Sequence, residues 1–132
     1  MTRLLLDTTF LIDAERSGRA LDGLIADHDD IAIAAVTVAE LRVGALLANR
    51  RRQAARSAYV EDIITTIPVI NYDVHVAEAH AELLVEVRNQ GNPRGAHDLI
   101  IAATAKAADR TIVSADNTAF QDLPGVAIRP HP

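Results

Sequence analysis

Five short apolar runs, none of them alternating with polar residues, set the tightest limit on how this chain folds. They are Leu4-Leu5-Leu6, Ile31-Ala32-Ile33-Ala34-Ala35, Val69-Ile70, Thr111-Ile112-Val113 and a weaker Val126-Ala127-Ile128. A strand with one wet face alternates. A continuous run belongs to a strand covered on both faces, the usual state in a parallel sheet. The intervals carry helical signals. Short helices are expected at 9–16 and 19–28. A helix at 37–48 places Val38, Leu41, Ala45 and Leu46-Leu47 at apolar positions. A helix at 50–66 sets Ala54, Ala55, Ala58, Tyr59 and Ile63 on one side. Asp73 is a natural N-cap for a helix at 74–89, along which Val76, His80, Leu84 and Val87 recur at helical spacing. The alanine-rich 96–109 stretch favours helix strongly. Strands alternating with helices mean an α/β protein with a mainly parallel sheet between helical layers. With 132 residues the chain is expected to form a single domain, 1–132.

Parallel α/β sheets build their sites beyond the carboxyl ends of the strands. Asp7 directly follows the first run, and Asp116 comes three residues after Val113. Glu40 lies one turn into the helix after the second run, and Asp98 in the first turn of the helix after the Gly91–Gly95 loop. Each acid also has an ordinary structural use. Thr37-Val38-Ala39-Glu40 reads as a capping box. Asp98 suits a helix dipole, and Asp116 a turn. Asp7 is the hardest to explain that way, because a carboxylate ending a buried strand is costly to desolvate. Converging carboxylates without basic partners need protons or cations. All-oxygen ligand sets select Mg²⁺ or Mn²⁺ over softer ions, and such ions suit phosphoryl chemistry.

Several other chemistries are excluded. The chain has no cysteine, so it has no disulfide, thiolate metal site or cysteine nucleophile. It has neither a Gly-x-x-x-x-Gly-Lys loop nor a Gly-x-Gly-x-x-Gly turn to cradle phosphates. A haloacid-dehalogenase-like site needs a second Asp where Thr9 stands, and a receiver site needs a lysine at a strand end, yet the one lysine, Lys106, lies mid-helix. No apolar run approaches the length of about 18 residues expected of a membrane span. The Leu4–Leu6 run is too short for a signal-peptide core, so a cytoplasmic protein is expected.

The residues around the four acids form ordered motifs. Leu4-Leu5-Leu6-Asp7-Thr8-Thr9-Phe10 resembles the opening motif of PIN-domain ribonucleases. Thr37-Val38-Ala39-Glu40-Leu41, Ala96-His97-Asp98-Leu99-Ile100-Ile101-Ala102 and Ile112-Val113-Ser114-Ala115-Asp116-Asn117 resemble the three that follow, in order and across nearly the whole chain. A single domain of this length most resembles the VapC-type toxins of VapBC toxin–antitoxin pairs. The resemblance implies a three-layer PIN-like fold with a central sheet of four to five strands. It implies an Mg²⁺-dependent (or Mn²⁺-dependent) endoribonuclease whose acidic tetrad is Asp7, Glu40, Asp98 and Asp116, with Asp7 and Asp98 as direct ligands. Thr9 matches the hydroxyl near the metal or phosphate, and Ser114 stands where a Thr is more usual. A homodimer and a VapB-like antitoxin covering the site are also implied. A housekeeping RNA-processing nuclease and a non-cleaving PIN-fold binding module are the rival readings.

The net charge of −5 argues against an RNA partner until four of the acids are assigned to such a site. Substrate charge then falls to arginines: Arg50, Arg51 and Arg52 with Arg56 on one helix, and Arg88 and Arg94 beside the loop before Asp98. For Arg50–Arg52 a solvated helix start or an antitoxin-binding edge serves equally well. Only four aromatics are present, so recognition by base stacking is poorly supplied. His97 reads as a solvent-facing first-turn residue, and His75 and His80 as structural.

Overall fold

The computed structural model describes residues 2–18, 26 and 28–130. Its elements are β1 (Arg3–Leu6), α1 (Thr8–Ser17), β2 (Asp30–Ala34), α2 (Ala35–Leu47), α3 (Arg50–Thr66), β3 (Val69–Ile70), α4 (Val74–Gln90), α5 (Ala96–Ala108), β4 (Thr111–Ser114) and β5 (Ile128–Pro130), with a 3₁₀ turn at Asn117–Ala119. The expected helix at 19–28 lies, apart from Ala26 and His28, outside the described residues. The five strands pair in the order β3-β2-β1-β4-β5, and every pairing is parallel.

Both sheet faces are covered, as the continuous apolar runs require. Leu5, Ala32, Ala34 and Ile112 point to one face, against Val76 and Leu83 of α4 and Leu99 and Ala102 of α5. Leu4, Leu6, Ile33 and Val113 point to the other, against Phe10 and Leu11 of α1, Leu41 of α2 and Val60 and Ile63 of α3. The three β1 leucines are fully buried. At about 25 cal/mol per Å², each gains roughly 2 kcal/mol from leaving water, so β1 is the spine of the core. No helix among the described residues is long and apolar enough to cross a membrane.

Local chemistry accounts for most boundaries. Asn49 caps α3 by accepting from Arg52 N at 3.1 Å, and Asp73 caps α4 by accepting from Val76 N at 3.0 Å. Three sequence expectations shift. The helix expected from residue 37 begins at Ala35, so Ala35 leaves the strand and Thr37 lies inside the first turns. The last strand is Ile128–Pro130 and not 126–128, because the turn through Gly125 bonds Val126 N to Leu123 O. On α3 the buried residues are Val60 and Ile63, with Tyr59 half-buried, while Ala54, Ala55 and Ala58 face out. Alanine's small apolar surface makes that exposure cheap, which is why alanine positions are weak markers of a helix's inner face.

The order β3-β2-β1-β4-β5 places one topological switch between β1 and β4. The chain builds outward from β1 on one side through β2 and β3, then crosses to build β4 and β5 on the other. The carboxyl ends of β1 and β4 therefore flank a crevice, the position at which open α/β sheets bind ligands.

Candidate active site

Asp7 ends β1 at the switch point and is 2% exposed. It is the N-cap residue of α1 but makes no side-chain cap bond, so its carboxylate is free to face the crevice. Two hydroxyls converge on a single oxygen. Thr9 Oγ1 donates to Asp7 Oδ2 at 2.6 Å, and Ser114 Oγ donates to the same oxygen at 2.7 Å. Both lengths are those of charge-assisted bonds. Each hydroxyl has one proton and here spends it on Asp7, so the 3.1 Å approach of Thr9 Oγ1 to Ser114 Oγ is a consequence of sharing that acceptor. Their lone pairs are used as well. Ala115 N donates to Thr9 Oγ1 at 3.2 Å, and Asp116 N to Ser114 Oγ at 2.9 Å. Ser114, fully buried, thus ties the ends of β1 and β4 together and sets the turn that presents Asp116. Asp116 is exposed, and Thr118 holds its Oδ1 through both N–H (3.2 Å) and hydroxyl (2.7 Å).

Glu40 does not cap α2. The helix starts too early for a capping box, and its N-cap is Ala34, without a side-chain bond. Instead Thr8 Oγ1 approaches Glu40 Oε1 at 2.8 Å and the buried Thr37 Oγ1 at 3.1 Å. The carboxylate is the stronger acceptor for the single Thr8 proton. Glu40 Oε2 lies 3.5 Å from His97 Nδ1 across a cleft of about 350 Å³ lined by Glu40, Gly95, Ala96, His97 and Asp98. His97 therefore faces an acid and not only solvent.

Asp98 completes the group. Burial first, and then the negative charges of Asp7, Glu40 and Asp116, push its carboxyl above the ordinary carboxylate range, while His97 pulls it partly back. Asp98 thus stands within electrostatic reach of the other three sequence-selected acids, each on a separate segment. The amino end of α5, whose direction sequence leaves open, points to the same edge as Asp7. Two like charges about 6 Å apart repel by roughly 3 kcal/mol at an effective dielectric near 20. Among the described residues no three His, Asp or Glu side chains close on a common point as metal ligands do. The donor chemistry nevertheless fits a hard divalent cation: every group is a carboxylate oxygen, and His97, which faces Glu40, is charged only when protonated.

The arginines divide. Arg56 lines a cleft of about 160 Å³ with Glu40, Leu41, Gly44 and Tyr59, and adjoining it Arg52 and Arg56 line one of about 320 Å³ with Gly44, Leu47 and Asn49. Gly44 and Arg56 border both clefts, and Glu40 lines the first. Arg50 and Arg51 are exposed and line neither. Arg94 donates to Asn92 O and Gln121 O, both at 2.6 Å, and so pins the loop before Asp98 while lining a cleft of about 420 Å³ with Asp98, Asp116 and Thr118. His80 Nδ1 bonds Tyr72 Oη at 2.9 Å, a structural use, and His75 is exposed.

Sequence reasoning missed Thr8, Thr37 and Thr118. Thr8 had a signal: in Asp7-Thr8-Thr9 a helix turns successive hydroxyls to different sides, so one serves Asp7 and the other a neighbouring element.

Comparison with known proteins agrees with the fold. The family model for the PIN domain matches residues 4–126. The toxin FitB of Neisseria gonorrhoeae is 32% identical over 127 residues, covering 89% of this chain and 90% of that protein. The ribonuclease VapC5 of Mycobacterium tuberculosis is 37% identical over 126 residues, covering 92% and 88%. The crystal structure of VapBC-5, from the VapBC family of toxin–antitoxin systems of Mycobacterium tuberculosis, superposes with a TM-score of 0.78 at 29% identity, covering 98% of each chain.

Proposed function

Since the chain belongs to the PIN-domain family, we propose that it is a metal-dependent endoribonuclease and the toxin of a type II toxin–antitoxin pair. The observation that carries this reading is the placement of Asp98 near Asp7, Glu40 and Asp116 at one sheet edge: burial, and then the charges of those three, push its carboxyl up. Acids placed near one another are costly to charge together unless a cation binds among them. The relatives named as a toxin and a ribonuclease support the activity.

In this reading Asp7 and Asp98 hold Mg²⁺ (or Mn²⁺), and Asp116 and Glu40 complete the site. When bound, such an ion polarises water and neutralises charge on a phosphodiester. The remaining steps belong to the chain. Thr9 and Ser114, both bonded to Asp7 Oδ2, fix the rotation of that carboxylate and leave Oδ1 to face the ligand. Thr8 anchors Glu40 through Oε1, which leaves Oε2 to take a proton from the attacking water. Water oxygen bonds to phosphorus, the bond to the 3′ oxygen breaks, and that oxygen leaves with a proton. The products carry a 5′-phosphate and a 3′-hydroxyl. Arg52 and Arg56 contact phosphates along the cleft that leads to Glu40.

The regulatory partner in this reading is a VapB-like antitoxin, one segment of which covers the same cleft. The membership of the similar VapBC-5 in a toxin–antitoxin system supports it. So does the exposed apolar strip of Val43, Leu46 and Leu47 on α2, 53%, 72% and 81% exposed, of which Leu47 lines the cleft with Arg52 and Arg56. A homodimer is expected, with a sedimentation mass twice the 14.2 kDa of the chain.

The decisive experiment incubates the purified protein with cellular RNA in Mg²⁺ or EDTA, beside Asp7→Ala and Asp98→Ala, and maps the new ends. Cleavage only with Mg²⁺ and the wild-type acids is expected. Cleavage surviving EDTA, or ends bearing a 2′,3′-cyclic phosphate, would overturn the mechanism.

A further inference from the structure

The loop before α5 contains two glycines whose reasons for being glycine differ. Gly91 ends α4 at φ +65°, the left-handed region that L side chains avoid, and a Cβ there would meet nothing within 4 Å. Gly95 has φ −60° and ψ 143°, a conformation open to any residue. It is also the N-cap of α5, where Ser, Asp or Asn would add a side-chain bond that this helix lacks. Backbone freedom therefore does not account for Gly95, and capping argues against it.

Space does account for it. A Cβ on residue 95 would stand 3.0 Å from Asp98 Oδ2 and 3.6 Å from Asp98 Cγ, closer than a carbon and an oxygen normally rest. The Asp98 carboxylate folds back over its own N-cap into the room a side chain would fill. That room matters beyond Asp98. Gly95 and Asp98 are the residues common to the cleft that holds Glu40 and His97 and the cleft that holds Asp116 and Arg94. They stand between the Glu40 side and the Asp116 side of the site.

We propose that Gly95 is a positioning residue for the metal site: the side chain it lacks sets where the Asp98 carboxylate stands between the two acid-lined clefts. The inference rests on the metal-dependent reading above and assigns to Gly95 no contact with substrate. A methyl at 95 displaces Asp98 Oδ2 by a few tenths of an ångström from a helix that is otherwise unchanged. Groups that orient metal ligands typically change affinity ten- to a hundred-fold when altered. The lower end of that range is expected for so small a push.

The test compares wild type, Gly95→Ala, Gly95→Ser and Gly91→Ala by thermal melting in a Mg²⁺ titration, with RNA cleavage measured beside it. Gly95→Ser adds an N-cap hydroxyl, so it holds or raises the metal-free Tm while still carrying the Cβ. Both Gly95 variants should need about ten times more Mg²⁺ than wild type for half the Tm rise. Their kcat at fixed Mg²⁺ should fall, with KM for RNA little changed. Gly91→Ala should melt lower at every Mg²⁺ concentration, yet reach half its rise at the wild-type concentration. A wild-type response that both Gly95 variants retain at the same Mg²⁺ concentration would overturn the assignment of Gly95 alone. No Mg²⁺ response in wild type would overturn it together with the metal reading.

Discussion

The two ends of the sheet treat acids in opposite ways. At the amino ends of β1 and β2, Asp30 is matched by cations. Arg110 Nη1 lies 3.1 Å from its Oδ1 and Arg3 Nη1 3.6 Å from its Oδ2. Arg110 Nη1 also donates to Asp30 O (2.8 Å) and Leu4 O (3.2 Å), and Arg3 Nη2 to Ala108 O (2.9 Å), so this end is cross-linked over three segments. At the carboxyl ends, Asp7, Glu40 and Asp116 are met by hydroxyls and backbone N–H groups, and Asp98's carboxyl is raised by burial and then by the charges of the other three. Hydroxyls orient a carboxylate without cancelling its charge. The amino edge is thus built to be stable as it stands, and the carboxyl edge to be completed by something positive. Asp7 and Asp30 close opposite ends of adjacent strands, yet only one is given arginines.

The largest effect that would sharpen this contrast is chemical. Asp7→Ala and Asp98→Ala should each lower RNA cleavage on the order of a thousand-fold, the several kcal/mol that a bound ion contributes to phosphoryl transfer. Far-ultraviolet circular dichroism should be unchanged. Loss of folded signal in both variants would mean that the carboxyl edge is structural after all. Next in size is Arg110→Ala, which removes a nearly buried guanidinium and leaves Asp30 with Arg3 alone. A loss of about 2 kcal/mol in urea-unfolding free energy is expected, in the range for hydrogen bonds to charged groups. Cleavage per folded molecule should stay at the wild-type level. If it fell in step with the acid variants, the two edges would not be independent.

Sequence revealed the carboxyl edge better than the amino edge, and physics explains why. Asp7 is legible because a buried continuous run ends on a carboxylate, a combination with few structural uses. The sheet is legible because parallel strands cannot alternate. Asp30 and Arg110 carried no such mark: an acid and an arginine 80 residues apart look like surface charge until the fold brings them together. Glu40 shows the converse difficulty. Its capping-box pattern is genuine in sequence, but packing starts α2 two residues early and turns Thr37 inward, so Glu40 is released to the cleft. Helix starts are set by a few tenths of a kcal/mol between adjacent N-caps, which tertiary contacts override easily. Gly95 was invisible for a different reason. A glycine kept for a neighbour's carboxylate and one kept for a left-handed turn look identical as letters.

Mg²⁺ binding is expected to come third. An ion that binds only the folded chain adds RT ln(1 + [L]/Kd), about 1.4 kcal/mol at ten times Kd. Wild type and Arg110→Ala should both gain it, because the amino edge takes no part. Asp7→Ala and Asp98→Ala should gain little. Equal gains in all four would place the ion elsewhere on the surface and break the comparison.

The smallest expected effect is the most selective. In metal-free protein Asp98's carboxyl lies above its unfolded value, so the folded chain takes up that proton more readily than the unfolded one. The contribution of Asp98 to stability is then unfavourable while the group is charged near neutral pH. That penalty is fully present above the raised value, is relieved as pH falls through it, and is gone below the ordinary carboxylate range. Asp98→Asn has no charge to relieve. In EDTA it should therefore be slightly more stable than wild type at pH 7, with urea midpoints converging as the pH is lowered. Solvent screens this partly exposed group, so the difference is modest. Adding Mg²⁺ at pH 7 should reverse the order, since only wild type keeps the full ligand set. A wild type already more stable than Asp98→Asn in EDTA would mean that Asp98 is compensated within the chain, as Asp30 is, and the two edges would be alike.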